Sequence, residues 1–113
     1  MSYTPLYKPT FDKNLKIYAS LKKQIEKKVI FILDDPYYNT EPLQDKKGYD
    51  LRGLRSKKID RNFRIIFAIC EECKQMRLQD KNINICIDCP EDAPEKTVIF
   101  LTVGTHKGAY TLR

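Results

Sequence analysis

Apolar residues recur at Phe11, Leu15, Tyr18, Leu21, Ile25, Val29 and Ile32, in steps of three or four, with charged residues at most positions between them. That spacing predicts a helical stripe facing a core. Thr10 is placed to cap its start, with Asp12 in the first turn. Ser20 marks a bend or the cap of a second helix, so the stripe reads as one long helix or a tight helical pair. It ends at DDPYY (34–38), because proline disfavours helix at the residue before it. Upstream, YTPLY (3–7) predicts a short strand, which Pro5 and Pro9 confine to the edge of a sheet.

Beyond the helical stripe the period changes. Residues 37–48 are turn-rich, and LRGLRS and NFRIIFAIC then read as strands. Phe63, Ile65, Phe67 and Ile69 alternate, while Ile66 and Ala68 make the second face apolar too, as in a central strand covered on at least one side. Ile83, Ile85 and Ile87 alternate briefly, and TVIFLTV (97–103) is nearly all β-branched or apolar. RLQDKN (77–82) and PEDAPEK (90–96) are hydrophilic and turn-like. Helices grouped before strands joined by short turns predict an α+β domain, a small antiparallel sheet with the N-terminal helices on one face. The other face is left to carry function.

At 113 residues and 42% hydrophobic, the chain suits a single domain over 1–113. Its apolar runs are short and broken by charge, so no membrane span is expected. MSYTPLYKPT carries no apolar signal region, and the expectation is a cytoplasmic protein. The net charge of +6 is unevenly placed: residues 46–64 hold eight lysines and arginines against Asp50 and Asp60, a local net equal to that of the whole chain. A concentrated positive field suits a polyanion, either nucleic acid or an acidic protein segment. A merely solvated basic face is the alternative.

The four cysteines fall into two pairs, Cys70/Cys73 and Cys86/Cys89, with the spacing C-x2-C-x12-C-x2-C. Each CxxC turn can point two sulfurs at one centre, and a connecting hairpin would bring the turns together. Four thiolates in a tetrahedron favour a structural Zn2+, here a clip over residues 70–89. With no open position such a metal would add folding free energy rather than catalysis. Two disulfides or four unligated thiols are the alternatives.

Arg52, Arg55, Lys57, Lys58, Arg61 and Arg64 lie in or beside two successive strands; His106, Lys107 and Tyr110 follow the last one. Arginine, lysine, histidine and tyrosine together have the chemistry to cut RNA without a metal. The 2′-hydroxyl must lose a proton as it attacks the adjacent phosphate, the leaving 5′-oxygen must gain one, and cations must stabilise the phosphorane between them. Arginine offers a fork of donors to phosphate, histidine titrates near neutrality, and tyrosine can stack on a base.

The order of these features resembles the RelE/ParE superfamily of toxins from type II toxin–antitoxin systems. The helical stripe ending in DDPYY is similar to that family's helices. LRGLRSKKIDRNFRIIFAI resembles its basic strand, turn and R-[IV]-[IV]-[FY] strand, most like the YoeB branch. IFLTVGTHKGAY resembles its final strand followed by G-x-H-x-x-x-Y. Fold, activity and partners follow as expectations: a RelE-like sheet, an endoribonuclease that cleaves mRNA at the ribosome, and a cognate antitoxin that neutralises it. The resemblance gives Arg64 the role of phosphate or transition-state ligand, His106 that of general acid and Tyr110 that of substrate contact. It assigns backbone phosphates to Lys57, Lys58 and Arg61, and makes Glu41, in an E-P-L context, the general base. Lys107 departs from the acidic residue common after the histidine, and the cysteine clip is an addition to the family pattern. A ParE-type inhibitor of DNA gyrase, with no need of the histidine, and a nonenzymatic zinc-ribbon adaptor for RNA or protein are the alternative functions.

Overall fold

The computed structural model describes residues 3–43, 53–79 and 96–105. Strand β1 (Thr4–Tyr7) leads into helix α1 (Pro9–Ile17), a single 3-10 turn (Ala19–Leu21) and helix α2 (Lys22–Asp34). Strands β2 (Glu41–Pro42), β3 (Leu54–Lys58) and β4 (Phe63–Ile69) follow, then helix α3 (Cys70–Gln79) and strand β5 (Thr97–Thr105). The strands form one sheet in the order β1-β5-β4-β3-β2.

The helical stripe divides where Ser20 marks the bend, and its residues make one layer of the core. Phe11, Ile25, Val29 and Ile32 are buried against Ile65, Phe67, Ile69, Val98, Phe100 and Val103, with Leu15, Tyr18 and Leu21 packed at the margin. The rings of Phe11 and Phe100 lie 5.5 Å apart and those of Tyr7 and Phe100 5.2 Å, so aromatic contacts join α1 to two neighbouring strands. Helix α1 begins two residues earlier than its sequence suggests: Pro9 opens it, and Lys8 caps it without a side-chain hydrogen bond, displacing Thr10 from that role. Proline's fixed φ suits the first helical position, where its missing N–H matters least. Helix α2 stops before Pro36 as expected, and the Asp35 carboxylate accepts from the Tyr37 amide at 3.2 Å to turn the chain.

The sheet is mixed, which corrects the antiparallel expectation. β2–β3, β3–β4 and β4–β5 are antiparallel, but β1 lies parallel to β5, with Thr4 opposite Thr97 and Tyr7 opposite Phe100. The helical pair carries the chain across one face, and β1 and β5 meet from opposite ends of the sequence. Alternation within a strand is local and says nothing about the direction of so distant a partner. β2, two residues long, stands in what reads from sequence as linker.

The segment after β4 is the second correction. It is helical from Cys70 to Gln79 rather than one arm of a hairpin. CEECKQMRLQ contains no β-branched residue, and Glu71 and Glu72 sit in its first turn, where the helix dipole favours negative charge. Helix α3 covers part of the sheet face opposite α1 and α2. Cys73 packs with Leu54, Ile66 and Ala68, and Cys70 packs with Ile99. No helix among the described residues is long and apolar enough to cross a membrane.

Candidate nucleic-acid interface

Register divides the basic strands between two environments. Residues directly opposite one another on antiparallel strands point to the same face. Lys57 is opposite Ile65 and Arg55 opposite Phe67, so both follow the apolar set that packs under the helices. Lys58 is opposite Arg64, Ser56 opposite Ile66 and Glu41 opposite Ser56, so these belong to the other face.

The first pair is held by the protein itself. Arg55 donates from Nε to both carboxylate oxygens of Glu72, at 3.0 and 3.2 Å, and from Nη1 to the Thr40 hydroxyl at 3.2 Å. Its guanidinium also lies 5.0 Å from the centre of the Tyr37 ring. Arg55 thereby ties the sheet to α3 and to the turn after α2. Partial burial pushes the Tyr37 hydroxyl well above the usual tyrosine range; Glu71 and Glu72 add to this and Arg55 opposes it. Lys57 is only 6% exposed, and its ammonium donates to the Asn39 carbonyl at 3.3 Å. Burial, with Lys28 nearby, lowers its pKa below the ordinary 10.5. Adjacent in sequence, Lys57 and Lys58 are opposed in the fold, and Lys57 is withdrawn from any exposed phosphate-binding surface.

The second set gathers at the end of the sheet where β3 turns into β4. Asp60 shapes the turn: its carboxylate accepts from the amides of Asn62 at 2.8 Å and Phe63 at 3.0 Å. Arg64 reaches back over that turn and donates from Nη1 to the carbonyls of Asp60 at 3.0 Å and Phe63 at 3.1 Å. Both bonds use one nitrogen, so the guanidinium is fixed in place while Nε and Nη2 retain the fork geometry that matches a phosphate. Lys58 and Arg61 are exposed beside it, and Arg64 is half-buried. On the third strand Arg64 is opposite Gly104 and Phe63 opposite Thr105, the last residue of β5. Gly104 places no side chain next to Arg64, which permits close approach to the backbone there. Glu41 is exposed on the same face, two strands from Arg64 and two residues along. Strand geometry sets their Cα atoms roughly 12 Å apart.

Thus Lys58, Arg61 and Arg64 come together, Glu41 shares their face at a distance, and Arg55 and Lys57 are turned away. Arg52, His106, Lys107 and Tyr110 lie outside the described residues. The partners of Arg55 and the part played by Gly104 escape a reading of sequence. A glycine ending a run of β-branched and apolar residues was the available signal for the second; nothing marked the first.

Of the proposed zinc ligands, Cys70 and Cys73 are buried in the first turn of α3, and Cys86 and Cys89 lie outside the described residues. The Cys73 thiol donates to the Gly53 carbonyl at 3.2 Å. Ligation would replace that bond with one from a thiolate to the metal. Among the described residues no group of three or more His, Cys, Asp or Glu side chains is placed to hold a metal ion.

No family model matches this sequence. Nor does any curated protein. Solved structures do match in shape. The chain is similar to one in the crystal structure of the toxin–antitoxin complex RelBE2 from Mycobacterium tuberculosis, with a TM-score of 0.59 and 18% identity over 94% of this chain and 100% of that one. It is similar to YafQ from E. coli strain BL21(DE3), with a TM-score of 0.59 and 13% identity over 95% and 97%. The E. coli DinJ–YafQ toxin–antitoxin complex gives a TM-score of 0.58 and 13% identity over 96% and 97%. At these identities the likeness establishes a RelE-like α+β fold across nearly the whole chain.

Proposed function

We propose that this chain is a toxin of the RelE/ParE superfamily, an endoribonuclease that cleaves mRNA at the ribosome in the cytoplasm and is neutralised by a cognate antitoxin. The observation that carries the reading is the placement of Arg64. Its guanidinium is braced over the β3–β4 turn, flanked by Lys58 and Arg61, beside Gly104 and at the end of the sheet where β5 runs out into the segment bearing His106. A fold shared with chains solved as parts of toxin–antitoxin complexes supports it.

In this reaction Arg64 and Lys58 hold the scissile phosphate and offset the charge that grows on its oxygens. Glu41 takes the proton from the 2′-hydroxyl, whose oxygen attacks phosphorus. The bond to the 5′-oxygen breaks, and His106 gives that oxygen a proton. The products are a 2′,3′-cyclic phosphate and a free 5′-hydroxyl. Tyr110 contacts the substrate base, while Arg61, Lys107 and Arg52 bind flanking phosphates. Cys70, Cys73, Cys86 and Cys89 would hold a structural Zn2+, which would add folding free energy and no catalytic chemistry.

The test is cleavage of defined mRNA, on and off ribosomes, alongside growth arrest on expression. His106→Gln is expected to reduce cleavage by about 10²–10⁴-fold and Arg64→Ala by about 10²–10³-fold, with growth restored in both. Growth arrest that survives His106→Gln while mRNA stays intact would refute the nuclease and turn attention to DNA gyrase.

A further inference from the structure

The turn that holds Arg64 is organised by one side chain. Ile59, 8% exposed, anchors the start of the turn in the core, and its amide donates to the Phe63 carbonyl at 3.0 Å. Phe63 anchors the other end, its ring meeting that of Tyr18 edge-on at 5.0 Å. Arg61 and Asn62, between these anchors, are exposed and draw no order from the core. The Asp60 carboxylate closes the span. A single oxygen, Oδ1, accepts from the Asn62 and Phe63 amides, as a short acidic side chain does when it shapes a turn. The two carbonyls to which Arg64 Nη1 donates belong to Asp60 and Phe63, the residues at either end of that side-chain bond. The position of both acceptors, and with it the direction of the guanidinium, therefore depends on the Asp60 carboxylate.

Asp60 is at the same time an anion among Lys58, Arg61 and Arg64. No cation among the described residues forms an ion pair with it. Facing a polyanion, its charge opposes binding; what it contributes is geometry. Charge and geometry thus act with opposite sign on one reaction, and two substitutions separate them.

We infer that Asp60 is a positioning residue for RNA cleavage: it touches no reacting atom, and its carboxylate fixes the turn carbonyls that aim Arg64 at the scissile phosphate. The inference rests on the proposed role of Arg64 as phosphate ligand.

The test compares Asp60→Ala, which removes acceptor and charge, with Asp60→Asn, which removes the charge and keeps an acceptor of the same reach. The kcat and KM for the mRNA substrate are measured on both and corrected for the folded fraction. In Asp60→Ala kcat is expected to fall by about 10- to 100-fold, as a displacement of about 1 Å at a reacting phosphate allows. KM stays level or falls by up to about fivefold with the loss of one exposed anion. Asp60→Asn is expected to hold kcat close to the parent value and to share the lower KM. Asp60→Ser, whose hydroxyl accepts the same bonds more weakly, falls between them and replaces the alanine variant should that one fail to fold. The second readout needs no activity. NMR relaxation of the Arg64 Nε–H, assigned by its absence in Arg64→Ala, is expected to report an ordered guanidinium in the parent and in Asp60→Asn and a mobile one in Asp60→Ala. Should the parent cleave no RNA, the nuclease reading fails, and the relaxation data still support or overturn the bracing of Arg64 by Asp60. Equal kcat in the alanine and asparagine variants, a kcat loss accounted for by unfolded protein, or an Arg64 side chain as ordered in Asp60→Ala as in the parent overturns the inference.

Discussion

Arg55 is the residue on which the basic-patch and structural readings diverge most, and replacing it with alanine separates them. Its side chain is 15% exposed and that of Glu72 17%. The substitution removes two charge-assisted bonds to Glu72, one bond to Thr40 and the contact with Tyr37. Hydrogen bonds to charged groups contribute about 1.5–3 kcal/mol, and a cation over an aromatic ring near the surface about 0.5–1 kcal/mol. Because the Glu72 carboxylate is left behind, half-buried and next to Glu71, the upper part of that range applies, and the expected loss is about 3 kcal/mol. For a domain of this size that lowers Tm by roughly 12 °C. Urea denaturation at pH 7 reads it as a lower midpoint with an unchanged slope. Glu72→Gln, which keeps an acceptor, is expected to lose about half as much. A double-mutant cycle with Glu72→Ala should return a coupling of about 1–2 kcal/mol. Corrected for the folded fraction, RNA binding by Arg55→Ala should match that of the unaltered chain. A loss below about 0.5 kcal/mol with reduced RNA binding would refute the reasoning and return Arg55 to the phosphate surface.

Three further outcomes are expected. Lys57→Met should raise the urea midpoint at neutral pH, because a buried cation near Lys28 is removed. With a folded pKa below 10.5, the folded protein gives up the Lys57 proton before the unfolded chain does, so the penalty is full at low pH and fades as pH rises towards 10.5. A variant less stable than the parent at pH 7 would show that the bond to Asn39 outweighs burial. Tyr3, Tyr7 and Tyr37 are all shifted upward, so at least these three of the seven tyrosines should ionise late in an absorbance titration. The stability they contribute is present below pH 10 and declines above it; seven tyrosines titrating together near pH 10 would contradict this. Protein purified without a metal-binding tag should contain close to one zinc per chain and lose stability on chelation; metal well below that level would leave Cys70 and Cys73 as core residues alone.

What could be read from sequence was what depends on near neighbours. The stripe from Phe11 to Ile32 is a local period, and it identified the buried faces of α1 and α2. Alternation along Phe63–Ile69 likewise identified a strand covered on at least one face; that α3 covers part of the second face as well emerges only from the fold. It also set Arg64 apart from Ile65. What could not be read was register, which is fixed between strands and not along them. Nothing in LRSKKIDRNFR states that Lys58 meets Arg64 while Lys57 meets Ile65; a slip of one residue would exchange the exposed cation for the buried one. The same ignorance hid the parallel pairing of β1. It also inflated the charge argument. Of the five described cations in the basic stretch, Arg55 and Lys57 are engaged inside the molecule, and only Lys58, Arg61 and Arg64 gather at the turn. A net charge counted along a chain sums cations that the fold then separates. Where the exposed cations stand follows from the register, and among the described residues of this sheet they gather at the end where β3 becomes β4.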